Sequence, residues 1–186
     1  MSASDLGSHE IAVAYYYFDF TDTSKQTSSD LLRSILSQIT LENPQAYEVT
    51  SQLYTSCRMG SQQPTVQDLL NSVKKAAATF EHLYIIIDAI DESPRDTHRE
   101  SVLDVVCELR KHGSLHIAAA SRKEIDITNR FSCIGATEVK VSGPGLESDI
   151  RRYISSQFMK DTRLMRIPKG LKDEAQVVLS KKANGM

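Results

Sequence analysis

Apolar positions along the chain alternate between short continuous runs and longer stretches with helical spacing. Residues 11–20 (IAVAYYYFDF) are rich in β-branched and aromatic side chains and predict a strand. Leu31, Leu32, Ile35, Leu36 and Ile39 then recur at three- and four-residue intervals, the stripe of a sheet-covering helix capped by Ser28 or Ser29. Asn43 and Pro44 stop that helix and start a weaker one marked by Tyr47, Leu53 and Tyr54. After a loop containing Gly60, Thr65 and Asp68 have capping-box spacing for a helix through Phe80, whose apolar face is Leu69, Leu70, Val73 and Phe80.

Residues 83–87 (LYIII) show no alternation, which predicts a strand covered on both faces at the centre of a parallel sheet. Each isoleucine so buried contributes about 1.5–3 kcal/mol of transfer free energy. Ser93 and Pro94 break the run, and Val102, Leu103, Val106 and Leu109 define a helix ended by Gly113. Residues 115–120 form the next strand, leading into Ser121 and Arg122, and the alternating 137–141 (TEVKV) predicts a strand nearer an edge. Helices follow over 147–158 and 171–183. Strands alternating with helices imply crossover units and an α/β fold with a mostly parallel sheet between helical layers.

Composition narrows the function. The 186 residues suit one domain, and a formal charge of -2 lacks the basic excess of a nucleic-acid footprint. Cys57, Cys107 and Cys133 are odd in number and form no C-x-x-C pair, which favours reduced thiols in a cytoplasmic protein over a disulfide framework. Residues 1–10 are polar and predict a disordered terminus without a signal sequence, and no apolar run is long enough to span a membrane.

The chemistry gathers behind the central strand, where Asp88, Asp91 and Glu92 place three carboxylates within five residues. The carboxyl edge of an open α/β sheet is where ligands bind. Two like charges about 4 Å apart repel by roughly 1 kcal/mol in water and about 4 kcal/mol near a protein surface, so a divalent cation is the natural compensation. The residues also admit plainer roles: a turn for Asp88, helix-dipole charge for Asp91 and Glu92, and an ion pair to this cluster or a solvated loop for Arg122. No G-x-S-x-G or H-E-x-x-H occurs, His112 and His116 straddle Gly113, and Ser148 stands where the Gly143-Pro144-Gly145 stretch would need a third dinucleotide-binding glycine. Nucleophilic and zinc chemistry therefore have no motif here.

The apolar strand ending D-A-I-D-E resembles the Walker B segment of NACHT domains, P-loop NTPases of the signalling STAND class. The resemblance extends through residues 13–39 (VAYYYFDFTDTSKQTSSDLLRSILSQI), 116–122 (HIAAASR) and 148–154 (SDIRRYI), in the order found in fungal proteins with ankyrin or WD repeats and in nephrocystin-type N-terminal NACHT domains. It implies a three-layer, P-loop-like sandwich over residues 11–160, with 161–186 beginning a helical region. It further implies Mg2+ with ATP or GTP, with Asp88 holding the metal through water and one of Asp91 and Glu92 orienting the attacking water. Arg122 takes the place of the γ-phosphate sensor. Lys25 and Gln26 match a recurrent pair and receive no role.

One essential part of the pattern is missing. No G-x-x-x-x-G-K-[ST] occurs in these residues, so the Walker A strand and helix are absent. The expectation is a partial NACHT switch that does not hydrolyse nucleotide alone and works through protein partners or self-association, with neither nucleic acid nor membrane as partner. Without the phosphate-loop strand, strands 115–120 and 137–141 either pair directly or leave an open edge at 117–119. The alternatives are a pseudo-NTPase interaction module using the same sheet, and a Mg-dependent phosphohydrolase resting on the acidic cluster.

Overall fold

A computed structural model describes residues 11–141 and 144–183. The predicted disorder of residues 1–10, and Gly143, lie outside the described residues. The chain divides into two compact units, residues 1–136 and 137–186. The α/β part expected from the sequence runs to residue 160.

The first unit is an α/β fold, as expected. Strands β1 (Ile11–Tyr17), β2 (His82–Asp88) and β3 (Leu115–Ala119) form one parallel sheet in the order β1-β2-β3, with Ile11 opposite His82 and Tyr84 opposite His116. Helices α1 (Ser28–Thr40), α2 (Pro44–Ser56) and α3 (Val66–Ala77) lie between the first two strands, and α4 (Thr97–Arg110) between the next two. A short α5 (Ile125–Cys133), absent from the sequence reading, follows β3 and buries Ile127.

Local sequence rules set these helices. Thr27, rather than Ser28 or Ser29, caps α1 in a reciprocal box with Asp30. Asn43 caps α2 ahead of Pro44, and Thr65 and Asp68 form the capping box of α3 as their spacing predicts. Leu31, Leu32, Ile35 and Ile39 of α1, Leu69 and Val73 of α3 and Val102 and Leu109 of α4 meet Ala14, Ile85 and Ile87 in one continuous core.

That core covers one face of the sheet only. Leu83, Ile85 and Ile87 are buried as predicted, but Tyr84 and Ile86 between them are open, so β2 is not sheathed on both sides. Together with Ile11, Val13, Tyr15 and Tyr17 they make an apolar face whose members are 42–60% exposed. The cause is topological. Right-handed crossovers that advance a sheet in one direction put every helix on the same side, and β1-β2-β3 never reverses direction.

The two sheet edges differ. On β1 the Gln38 side chain of α1 acts as a surrogate strand: its Oε1 accepts from Tyr15 N at 3.0 Å and its Nε2 donates to Tyr15 O at 2.8 Å. Among the described residues nothing comparable caps the outer edge of β3, and residues 137–141 are exposed and form no strand. Among the described residues β3 pairs with β2 alone, so the direct pairing of 115–120 with 137–141 is not seen. Alternation at TEVKV encodes a strand only where a neighbouring ladder exists to receive it.

The second unit consists of α6 (Pro144–Lys160), α7 (Thr162–Met165) and α8 (Lys169–Ala183). Gln176 ties α8 to α6 by donating to Arg151 O at 3.1 Å and to Ser155 Oγ at 2.9 Å. Among the described residues no helix is long and apolar enough to cross a membrane.

Two consequences are measurable. Tyr16 points into the core, its Oη has no hydrogen-bond partner among the described residues, and burial pushes its phenol well above the ordinary range. An orphaned buried hydroxyl costs about 1–3 kcal/mol, so Tyr16→Phe should hold or raise stability by about 1 kcal/mol in urea denaturation. The Asp68 carboxyl is held below its ordinary value by the hydroxyl and N–H of Thr65. A depressed folded-state value means that its stabilising contribution is present above the unfolded value and is lost as pH falls through the folded one. Thr65→Val should therefore flatten the fall in urea midpoint below about pH 4.

Candidate functional site

At the carboxyl edge of the sheet the chain leaves β2 through a strained residue. Ala89 has φ 56° and ψ 44°, the left-handed region that costs a residue with a Cβ about 1–2 kcal/mol. The reversal drives Ile90 into the core, fully buried, and winds Ile90–Glu92 into a single 3-10 turn. Two carboxylates then leave that turn toward different strands. Asp91 Oδ1 accepts from Arg122 N at 2.9 Å, just after β3, while Glu92 Oε2 accepts from Phe20 N at 3.3 Å, after β1. The acidic turn thus staples all three strand exits together. Asp88 Oδ1 accepts from the adjacent Ala89 N at 2.9 Å.

The three acids predicted from sequence are therefore neighbours in the chain without converging on one point. Among the described residues no group of three or more His, Cys, Asp or Glu side chains is placed to hold a metal ion. Mg2+ in phosphoryl-transfer sites commonly takes one or two carboxylates and completes its shell with water and phosphate oxygens. Asp88 fits that share. The sequence contains no G-x-x-x-x-G-K-[ST] loop to contribute phosphate contacts.

Arg122 lies beside the acids, as expected. Its Nε is 3.6 Å from Asp91 Oδ2, with the Arg122 side chain 69% exposed and that of Asp91 only 7%. The ion-pair alternative for this arginine is what the geometry shows, and at that distance and exposure the pair is loose. The guanidinium sits on the rim of a cleft of about 340 Å3, whose walls include Phe20, Asp91, Glu92, Arg95 and Glu124. Arginines and carboxylates both stand on its walls, and Asp91, Glu92 and Glu124 each already accept a hydrogen bond.

The residue that sequence reasoning missed is Arg99. It is 2% exposed, yet each guanidinium nitrogen has a partner: Nε donates to Ser93 Oγ at 3.3 Å, one terminal nitrogen to Glu124, and the other to the carbonyls of Asp91 and Ser93. Ser93 Oγ in turn donates to Ile90 O at 2.7 Å. This buried cation locks the acidic turn to the loop after β3. A signal for it existed, because Arg99 falls in phase with Val102, Leu103, Val106 and Leu109 on the inner face of α4. A charge in an apolar stripe demands a buried partner.

Gln26 also acquires a place. Its Nε2 donates to the carbonyls of Phe20 at 2.8 Å and Asp19 at 3.2 Å, shaping the loop after β1, while Lys25 pairs with Asp22. Asp19 and Asp22 each close a turn on the residues two ahead, Thr21 and Ser24, and those hydrogen bonds hold both carboxyls below their ordinary values.

Comparison with known proteins gives one sequence match and one structural likeness. Residues 2–122 match the family model described as nephrocystin 3, N-terminal, and the match includes all three strands and the cleft residues as far as Arg122. No curated protein matches the chain. Among solved structures, a chain in the structure of Drosophila ORC bound to AT-rich DNA and Cdc6 is similar at 13% identity and a TM-score of 0.38, over 94% of this chain and 76% of that one.

The buried cation gives this geometry a direct test. Removing Arg99 strips the carbonyls of Asp91 and Ser93 of their buried donor, at about 1–3 kcal/mol for each group left unsatisfied, while Glu124 keeps its pair with Arg95. Arg99→Met should lose stability on that scale in chemical denaturation and speed amide exchange at Arg122. Arg99→Lys, which keeps the charge but not the fork of donors, should fall between the two.

Proposed function

The chain belongs to the nephrocystin 3 N-terminal family, and from that membership we propose that it is the Walker B and sensor portion of a NACHT-type nucleotide switch. The observation that carries this reading is the bond from Arg122 N to Asp91 Oδ1, which joins the exits of β2 and β3 at the edge where a nucleotide phosphate would lie. In this reading Asp88 supplies the carboxylate share of a Mg2+ site, and ATP or GTP supplies the phosphate oxygens. Asp91 and Glu92 hold the turn, and one of them is available to orient water once phosphate draws Arg122 away.

The open edge of β3 supports the same reading. A sheet that runs β1-β2-β3 has no reversal of direction, and the reversal is where open α/β sheets form their ligand crevice. A strand added beside β3, with its helix on the bare face, would create that crevice next to Arg122. Catalysis of phosphoryl transfer rests on positioning and charge neutralisation, which the cleft alone does not supply.

A second reading rests on the bare face itself. Six large apolar side chains exposed on one side of a parallel sheet suit a pseudo-NTPase module that binds a protein partner or its own kind without nucleotide.

Calorimetry separates the two. The 186-residue chain should show no turnover and no micromolar binding of Mg-ATP or Mg-GTP. In a longer protein that contains this chain beside a phosphate-binding loop, Mg-nucleotide binding that Asp88→Asn abolishes would support the switch. No binding there would favour the interaction module. Micromolar binding by the short chain, lost on Asp88→Asn, would overturn the need for a separate phosphate cradle.

A further inference from the structure

At the opposite end of the strands from the acidic cleft, two histidines 34 positions apart in sequence meet on the bare face of the sheet. His82 opens β2 and His116 lies in β3, both on the side of Tyr84 and Ile86. His82 Nδ1 is 3.1 Å from His116 Nε2. From there to the exit of β2 is about 20 Å at the usual rise per residue, so the pair is separate from the site described above.

We propose that His82 and His116 form a two-imidazole site for a borderline divalent cation, with Zn2+ as its representative. The first support is distance. With metal–nitrogen bonds of about 2.05 Å, nitrogens 3.1 Å apart subtend an angle of about 100° at the metal, between the square-planar and tetrahedral values. Each facing lone pair must swing about 40° off the line between the two nitrogens to meet a shared ion, a rotation that exposed rings can make.

The second support is how the rings are held. His116 is the register partner of Tyr84, and their rings stack with centroids 4.8 Å apart and planes 23° apart. The outer nitrogen of His82, Nε2, lies 3.8 Å from Glu81 Oε1. A carboxylate on the far nitrogen favours the proton there and leaves Nδ1 with a free lone pair, the arrangement by which metal-binding imidazoles are commonly oriented. In the metal-free pair one facing nitrogen donates to the other, the direction following the tautomers. Binding needs both facing nitrogens as lone-pair donors, so each ring then carries its proton on the nitrogen turned away from the metal.

The pair is also accessible, since the His82 side chain is 42% exposed. Among the described residues no third histidine, cysteine or carboxylate joins it, so water completes the coordination shell. Imidazole nitrogens select Zn2+, Cu2+ or Ni2+ over Mg2+ and Ca2+, which prefer oxygen.

The test is thermal unfolding of the full chain with a thiol-free reductant, because Cys133 offers an exposed thiol that could also take zinc. A ligand that binds the folded state alone raises its stability by mass action, so about 0.1 mM ZnCl2 should lift the midpoint by a few degrees. Equal MgCl2 or CaCl2 should not. His82→Asn and His116→Asn should each abolish the zinc effect, and imidazole nitrogen NMR of the parent chain should show both rings shifting together. No zinc effect, or an effect that survives both substitutions, overturns the proposal.

Discussion

The Arg99 guanidinium is taken out of water with every nitrogen engaged, and the carboxyl edge of the sheet takes its shape from that fact. An unpaired cation at that depth would be costly enough to unfold the turn, so the chain must bring it a carboxylate and several carbonyls. It does so from two places: the turn after β2 gives Asp91 O, Ser93 O and the Ser93 hydroxyl, and the loop after β3 gives Glu124. Because these partners come from both sides of β2's exit, satisfying one charge fixes the relative position of two loops. The left-handed Ala89 is tolerated for the same reason. The strain of one residue is small beside the interactions that would be lost if the turn relaxed.

A second constraint acts on the sheet as a whole. Parallel strands added always to the same side, with crossovers of a single hand, collect their helices on one face. Hence α1, α3 and α4 share a core while Tyr15, Tyr17, Tyr84 and Ile86 look outward. The two edges are treated unequally, with Gln38 closing the ladder at β1 and, among the described residues, nothing comparable at β3. The fold is finished where its order begins and open where its order stops. Arg122 lies just past β3, on the side of the acidic turn.

The legible parts of this molecule were those governed by local chemistry. The capping box of Thr65 and Asp68, the Asn43-Pro44 start and the apolar stripe of α1 need only neighbours within one helical turn, and each was found where its residues implied. The three strands of the sheet were legible too. What misled was inference about faces: an apolar run such as Leu83 to Ile87 fits a strand buried on one side or on both, because Tyr84 and Ile86 are hydrophobic whichever way the sheet is covered. TEVKV carried the right period with no ladder to join. The acids at 88, 91 and 92 were visible as a cluster, yet the turn at Ala89 splits their directions, and no spacing rule anticipates a left-handed alanine. Arg99 was legible only as a charge in phase with the apolar stripe of α4; which groups it meets, and the meeting of His82 with His116, depend on how distant segments are placed, which a one-dimensional pattern does not contain.

These constraints bear on what the cleft can do. Asp91 uses one oxygen on a backbone N–H and shares the other loosely with an exposed guanidinium, so its two bonds differ greatly in how easily they break. An anion arriving at Arg122 competes only with the weaker bond, because the stronger one belongs to the backbone and to a turn that Arg99 anchors. Such an anion would pull the Arg122 side chain away without dismantling the loop, and would leave a nearly buried carboxylate facing the new charge. The switch proposed above needs that combination of a fixed frame and a movable cation. Two equally firm bonds would give a rigid clamp, and two loose ones would let the loop follow the ligand and transmit nothing.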